Sequence, residues 1–168
     1  MSAQAAFRTK ILFDTNQLLQ RAKSEEEILS QTASQLMKLL NRSLIVYPEQ
    51  NGDLGSEQVF EVDGEVPCNI FSAPEERDAA NWTFANKKRS GAGTDSYPDA
   101  KGLYLALRTG GGVFGVIGID LSEKPLDAFE NSVLLSILGE GALAIENRRN
   151  ALEKEQAALQ ARNEELRA

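Results

Sequence analysis

The chain has 168 residues, of which 18 are Lys or Arg, 25 are Asp or Glu, one is Cys and none is His. Without His there is no Ser-His or Cys-His nucleophile pair, no imidazole general base and no haem axial histidine; nor can one cysteine build a zinc site. A net charge of −7 argues against nucleic acid as the main partner, because a phosphate-binding face needs a basic excess.

The length suggests one domain of roughly 100–150 residues plus an appendage. No uninterrupted apolar run approaches the ~18–20 residues of a membrane span, and no signal peptide is visible, so a soluble chain is expected. Residues 4–22 predict an amphipathic helix, with Phe7, Ile11, Leu12, Thr15, Leu18, Leu19 and Ala22 recurring at three- and four-residue steps. Ser24 and Glu27 form an S-x-x-E capping box that starts a second helix. Its buried face is Ile28, Leu29, Ala33, Leu36, Met37 and Leu40, and it ends at Asn41-Arg42. The acidic run Glu25-Glu26-Glu27 complements the positive helix N-terminus and is not read as a metal site.

The period then changes. Residues 43–47 are short, apolar and β-branched, as a strand requires. Asn51-Gly52 is a hairpin signal, because a type I′ turn needs positive φ at both central residues. Val59–Val62 is the expected returning strand, Asp63-Gly64 a further turn, and Val66–Phe71 a short strand carrying Cys68. Cys68 reads as a small buried hydrophobe rather than a reactive thiol. Ser72 and Glu75 suggest a second capping box, with Pro74 in the first turn and the helix running to about Asn86. Lys87-Lys88-Arg89 then complement its negative end. Residues 90–98 form a breaker-rich loop, followed by strands Leu103–Leu107 and Val113–Ile119 joined at Gly110-Gly111-Gly112.

From about Pro125 the sequence is helical to its end, roughly 43 residues or ~64 Å. The first half supplies core residues such as Val133, Leu134, Ile137 and Ala142. The second half is polar except for a seven-residue beat: Leu138, Ile145, Leu152, Leu159 and Leu166. Such a helix outruns the domain, and pairing with a second copy would bury the stripe, so a parallel homodimer through the terminal helices is expected. The accompanying positions Ala142, Arg149, Gln156 and Asn163 are mostly polar, which makes that seam weak; the alternative is a solvated tail.

Gly110-x-Gly112-x-x-Gly115 matches the dinucleotide glycine pattern, but here it lies in a hairpin and leads into a strand, not a helix. The loop Gly91-Ala92-Gly93-Thr94-Asp95 can form an anion-binding backbone nest; the plainer reading is a turn whose Asp95 bonds local backbone. Trp82, Phe84 and Tyr97 flank it and read either as pocket lining or as ordinary core. No catalytic residue, metal site or cofactor is assigned.

The order helix, helix, strands, helix, glycine loop, two long strands and long exit helix describes an α+β sandwich: an antiparallel sheet flanked by helices, with a long C-terminal signalling helix. It resembles a GAF domain, the sensor fold related to PAS. The resemblance sharpens at Ala80-Asn81-Trp82-Thr83-Phe84-Ala85-Asn86, Ala92-Gly93-Thr94-Asp95-Ser96-Tyr97-Pro98 and Leu103-Tyr104-Leu105-Ala106-Leu107. These runs are similar to the GAF domain of KdpD-type sensor histidine kinases, the bacterial osmosensitive potassium-channel sensors. Two departures are Ser96-Tyr97 where that family usually has Thr-Leu, and Ala106 where it has Pro.

The resemblance implies a connector helix over 1–22, a GAF domain over 23–145 and a helical connector over 146–168 towards a kinase core. It implies membrane helices before the domain and a phosphoacceptor helix and ATP-binding domain after it. The domain itself would be cytoplasmic, within a protein of the bacterial inner membrane, and the full protein would have a response regulator as partner. It further implies a non-catalytic regulatory role, sensing potassium or osmotic conditions and relaying the signal through the exit helix. Bilin and haem GAF chemistry needs His, and sulfoxide-reducing GAF domains need several cysteines, so those branches are excluded. Asn86-Lys87 begins a cyclic-nucleotide signature whose Phe-x-x-x-Asp-Glu continuation is missing. A small-molecule ligand, if bound, is expected at Trp82, Phe84, Gly91, Gly93, Thr94, Asp95 and Tyr97, between the sheet and residues 82–97. Two alternatives are a ligand-free dimerising spacer and a nucleotide-binding GAF domain of another signalling protein. An enzyme is disfavoured, because no paired carboxylates lie beside a credible pocket.

Overall fold

The computed structural model describes residues 2–62 and 69–167. The Asp63-Gly64 turn, Cys68 and the first half of the Val66–Phe71 segment lie outside the described residues. Helix α1 (Ala3–Arg21) is capped by Ser2, whose Oγ accepts the Ala5 N–H at 3.1 Å. It buries Ile11, Thr15 and Leu19, but Phe7 is 52% exposed and only tilts against Phe129, correcting the expectation of a buried Phe7. Helix α2 (Glu25–Leu40) starts at the Ser24 cap, with Ser24 Oγ accepting the Glu27 N–H at 3.1 Å. Glu27 reaches one residue further back than a capping box requires and accepts the Lys23 N–H at 2.7 Å. Asn41 ends the helix in the left-handed region, φ 52°.

Strand β1 (Leu44–Gln50) turns through Asn51 (φ 55°) and Gly52 (φ 88°), the two positive values of a type I′ turn. The return is split. β2 (Asp53–Leu54) pairs with Glu49 and Gln50, and β3 (Gln58–Phe60) resumes pairing opposite Leu44–Val46. Helix α3 (Pro74–Asn86) has Ala73 at its cap, with no side-chain bond. Ser72 stands one residue too early, and its hydroxyl donates instead to Asn69 O at 2.6 Å, which corrects the expected second capping box. After α3 come β4 (Ser90–Gly91), β5 (Gly102–Thr109) and β6 (Gly112–Asp120). All pairings are antiparallel, in the order β2-β1-β6-β5-β4 with β3 on β1.

Period-two alternation sorts the sheet residues onto two layers. Leu44, Val46, Leu103, Leu105, Leu107, Ile117 and Ile119 join α1, α2 and the exit helix in one core. Ile45, Tyr47, Tyr104 and Val116 face the other way and pack with Ala79 and Ala80 of α3. The exit helix α4 (Ala128–Arg167) runs 40 residues, about 60 Å. It begins three residues later than expected, behind a reciprocal cap in which Asp127 Oδ1 accepts the Glu130 N–H (2.7 Å) and Glu130 Oε1 accepts the Asp127 N–H (3.1 Å).

One 18-residue window of α4, with mean hydropathy 1.3, is apolar enough on composition to cross a membrane. Its proximal half instead covers the sheet with Val133, Leu134, Ile137 and Ile145. Gly141 allows the close crossing of α2, since a Cβ there would lie 2.7 Å from Thr32 Oγ1. Arg42, 7% exposed, fixes the α4 approach: it pairs with Glu130 (3.3 Å) and donates to Asp120 O (3.0 Å), Lys124 O (2.7 Å) and Pro125 O (3.0 Å).

Candidate functional site

Two places carry polar chemistry: the layer between the sheet and α3, and the point where α4 leaves the domain. In the first, Glu76 is 1% exposed. Its carboxylate accepts from Lys101 N–H (2.9 Å), Gly102 N–H (3.0 Å) and the Tyr104 hydroxyl (2.7 Å). Three donors offset the cost of burying the charge and tie α3 to the strand that follows the glycine loop. The Tyr104 ring lies over Gly118, where a Cβ would come within 2.4 Å of it. Burial, reinforced by the bond to Glu76, pushes the Tyr104 hydroxyl pKa up, so it stays a proton donor at neutral pH. Tyr47 is pushed up to about 12, chiefly by burial and then by the charge of Glu57. Arg77 stacks over its ring at 5.0 Å. Tyr47 and Tyr104 are almost fully buried and, with Phe71, Leu54 and Val116, fill this layer.

Two of the predicted ligand residues, Gly93 and Thr94, share a cleft, and the others take different places in the fold. Gly91 is buried in β4 with φ 93°, and a Cβ there would meet Gly102 O at 2.0 Å. Thr94 closes the loop on itself: its Oγ1 lies 2.8 Å from Gly91 O and 2.9 Å from Ser96 O, and it accepts the Ser96 N–H at 3.3 Å. The Gly91 N–H is taken by Ser96 O at 2.7 Å. This is the turn reading, with Thr94 performing the local bonding expected of Asp95, which is exposed. Gly93 and Thr94 border an open cleft of about 390 Å³ with Arg89, Leu126 and Asn131. Trp82 and Phe84 are half-buried on α3, and Tyr97, with φ 56°, is 40% exposed.

The seven-residue stripe divides between two environments. Leu138 (4% exposed) and Ile145 (1%) belong to the intramolecular core, which removes them from an intermolecular seam. Leu152, Leu159 and Leu166 are 44%, 53% and 79% exposed. Arg149, expected on the seam, folds back onto the domain. Its Nε bonds Glu25 Oε1 at 2.6 Å and its Nη2 bonds Glu49 Oε2 at 2.9 Å, while the guanidinium stacks 5.0 Å over Phe114.

Burial pulls the Glu49 pKa upward, but the Gly52 N–H and Arg149 outweigh it and hold the carboxyl below its ordinary value. Arg149 is likewise held charged by Glu25 and Glu49 against its own burial. The clasp joins α4, α2 and the β1–β2 hairpin at the last contact before α4 becomes fully exposed. Beside it, Leu19, Ala22 and Ile28 face Ala144, Ala151 and Leu152 across a groove of about 560 Å³ between α1 and α4. Sequence reasoning missed Glu76, Arg42 and Arg149. The available signals were a glutamate directly after Pro74-Glu75 and cations beside apolar helix positions.

No family model matches the chain. Over 162 residues it is 30% identical to the sensor protein KdpD of Clostridium acetobutylicum, a match covering 96% of this chain and 18% of that protein. Among solved structures, the native GAF domain of the potassium sensor histidine kinase KdpD from Escherichia coli gives a TM-score of 0.63 at 22% identity, covering 90% of this chain and 99% of that one. The GAF domain of an Acinetobacter phosphoenolpyruvate-protein phosphotransferase gives 0.60 at 11% identity, covering 89% and 97%. The chain has the fold of a GAF domain. Within that fold its sequence is similar, along nearly all its length, to part of the KdpD sensor protein. It spans about a fifth of the KdpD relative's length.

Proposed function

We propose that the chain is the non-catalytic, cytoplasmic regulatory GAF domain of a KdpD-type sensor histidine kinase of the inner membrane, responsive to potassium or osmotic conditions. Its output is the orientation of α4, delivered to a kinase core and through it to a response regulator. The observation that carries this reading is the single 40-residue helix whose proximal half is core and whose distal half presents Leu152, Leu159 and Leu166 to solvent. A homodimer through α1 and α4 buries those leucines and extends the apolar groove beside Leu152. The filling of the α3 layer by Tyr47 and Tyr104 favours a signal arriving as motion of the terminal helices over one arriving as a molecule in that layer.

The test is a full-length kinase carrying Leu152→Lys and Leu159→Lys. Loss of signal-dependent autophosphorylation, with ATP binding retained, is expected. Unchanged signal dependence refutes the relay.

A further inference from the structure

The edge of the sheet opposite β2 is only half covered. β4 pairs with β5 at Ser90↔Tyr104 and Gly91↔Leu103 and then stops, so Leu105–Thr109, paired with β6 on one side, has no strand on the β4 side among the described residues. The parity of the edge is fixed by the Ala92 N–H, which bonds Gly102 O at 2.9 Å from the outer side. Gly102, Tyr104 and Ala106 therefore present their backbone groups outward. The Ala106 N–H and C=O have no hydrogen-bond partner among the described residues.

Along this edge runs a groove of about 250 Å³. Its floor is Leu105, Leu138 and Gly139, and it is fringed by Lys87, Lys88, Arg89 and Arg108. None of these four cations makes an ion pair among the described residues; Arg89 donates to Asn131 Oδ1 at 2.9 Å. Four exposed positive charges thus gather at one groove of a chain whose net charge is −7. Only part of that is explained by the negative end of α3, which lies at Lys87.

We propose that this groove is a docking site for an extended acidic segment of a partner protein. The segment would add to the open half of β5 through the Ala106 backbone, seat an apolar side chain on Leu105 and Leu138, and set its carboxylates against Lys88 and Arg108. Strand addition draws affinity from main-chain bonds and specificity from alternate side chains, and the cations select an acidic strand. The occupant would also touch Leu138 and Gly139 of α4, upstream of the Arg149 clasp. This inference is independent of the ligand and dimer readings above. Cations and the β-bulge between Leu107 and Arg108 also serve to blunt a sheet edge against aggregation, which is the competing explanation.

The experiment is fluorescence anisotropy of a fluorescein-labelled Glu-Val-Glu-Val-Glu-Val peptide with the whole 168-residue chain, paired with hydrogen exchange at Ala106. Saturable binding, slowed Ala106 exchange and a loss of about tenfold in affinity for Lys88→Glu with Arg108→Glu are expected. Ala106→Pro removes the outward N–H at an edge position where proline is tolerated, and should cost about tenfold in affinity. Circular dichroism verifies that each variant folds; if the proline variant does not, Ala106 exchange in the unaltered chain decides the binding mode. The proposal is overturned by absence of saturable binding up to about 1 mM, by undiminished binding to folded Ala106→Pro, by unchanged Ala106 exchange on binding, or by equal displacement with an oligonucleotide of the same charge. Self-association of the chain that vanishes in the Glu variants would make a second copy the occupant, and overturns it too.

Discussion

Arg149→Ala removes the clasp at the domain exit, and its cost can be worked from the geometry. The Glu25 pair involves side chains 34% and 36% exposed, so it is worth about 0.5 kcal/mol. The Glu49 partner is only 16% exposed and is also fixed by the Gly52 N–H, which places that pair near the upper end of the range, about 1 kcal/mol. Stacking over Phe114 adds about 0.5 kcal/mol. The total is about 2 kcal/mol, or roughly 4–8 °C in melting temperature for a domain of this size. Arg149→Lys keeps a charge but loses the fork and the flat stack, so about half the loss is expected.

Hydrogen exchange separates the local effect from the global one. The Gly52 amide and residues 146–150 should exchange faster in Arg149→Ala, while the centre of β6 changes only by the global loss. A double-mutant cycle with Glu49→Gln should return a coupling of about 1 kcal/mol. A melting shift below about 1 °C, or exchange raised uniformly without a local excess at Gly52, would refute the clasp as an energetic element.

Tyr104→Phe deletes one of three donors to Glu76 without changing packing; a loss of about 1.5–3 kcal/mol in urea unfolding, with unchanged m, is expected. Glu76→Gln should cost at least as much, because its amide NH₂ must face a backbone N–H that now meets a carboxylate oxygen. Gly141→Ala gains about 1 kcal/mol of helix propensity but drives a methyl onto Thr32, so the single variant should lose stability; adding Thr32→Ala should restore much of the loss, measured by thermal melts. Acid unfolding should register Glu49: its folded pKa lies below the unfolded value, so its stabilisation is present above about pH 4.3 and disappears as pH falls through the folded pKa. In Arg149→Ala that acid slope should flatten while the rest of the profile is kept.

Local features of the chain carry most of the fold. The Asn51-Gly52 turn, the Ser24 cap, Pro74 at the start of α3 and the alternation in β5 and β6 are each decided by residues within a few positions, so they can be read directly. The buried polar network cannot. Glu76 meets its partners 25 to 28 residues away, at Lys101, Gly102 and Tyr104, and in the sequence it is simply one more acid in a first helical turn. Arg42 looks like a surface cation after a helix until the turn from β6 into α4 places three carbonyls around it. The candidate ligand loop is ambiguous in sequence for a related reason. Glycines that permit a tight β4–β5 approach, as Gly91 does against Gly102 O, have the same local signature as glycines that cradle an anion.

The heptad stripe shows why periodicity fixes direction but not partner. A residue repeated every seven positions drifts only ~20° per repeat around an α-helix, so Leu138, Ile145, Leu152, Leu159 and Leu166 form one slowly turning line. The sheet covers its first two members and ends, and the line continues into solvent on the same side. Nothing in the distal half interrupts it: after Gly141 the helix contains no Gly or Pro. Any rotation of the proximal half over the sheet is therefore carried to Leu152, Leu159 and Leu166 through a continuous backbone ladder rather than absorbed at a hinge. The clasp at Arg149 marks the boundary between the two environments. It ties the helix to the Glu49 hairpin, and so to β1, whose Tyr47 packs with Leu54 and Tyr104 in the α3 layer. A shift in that layer and a turn of the exit helix are thus opposed by the same few contacts. That predicts coupling between Tyr104→Phe and Arg149→Ala: their stability losses should add if the two regions are independent, and depart from additivity by more than about 0.5 kcal/mol if β1 links them.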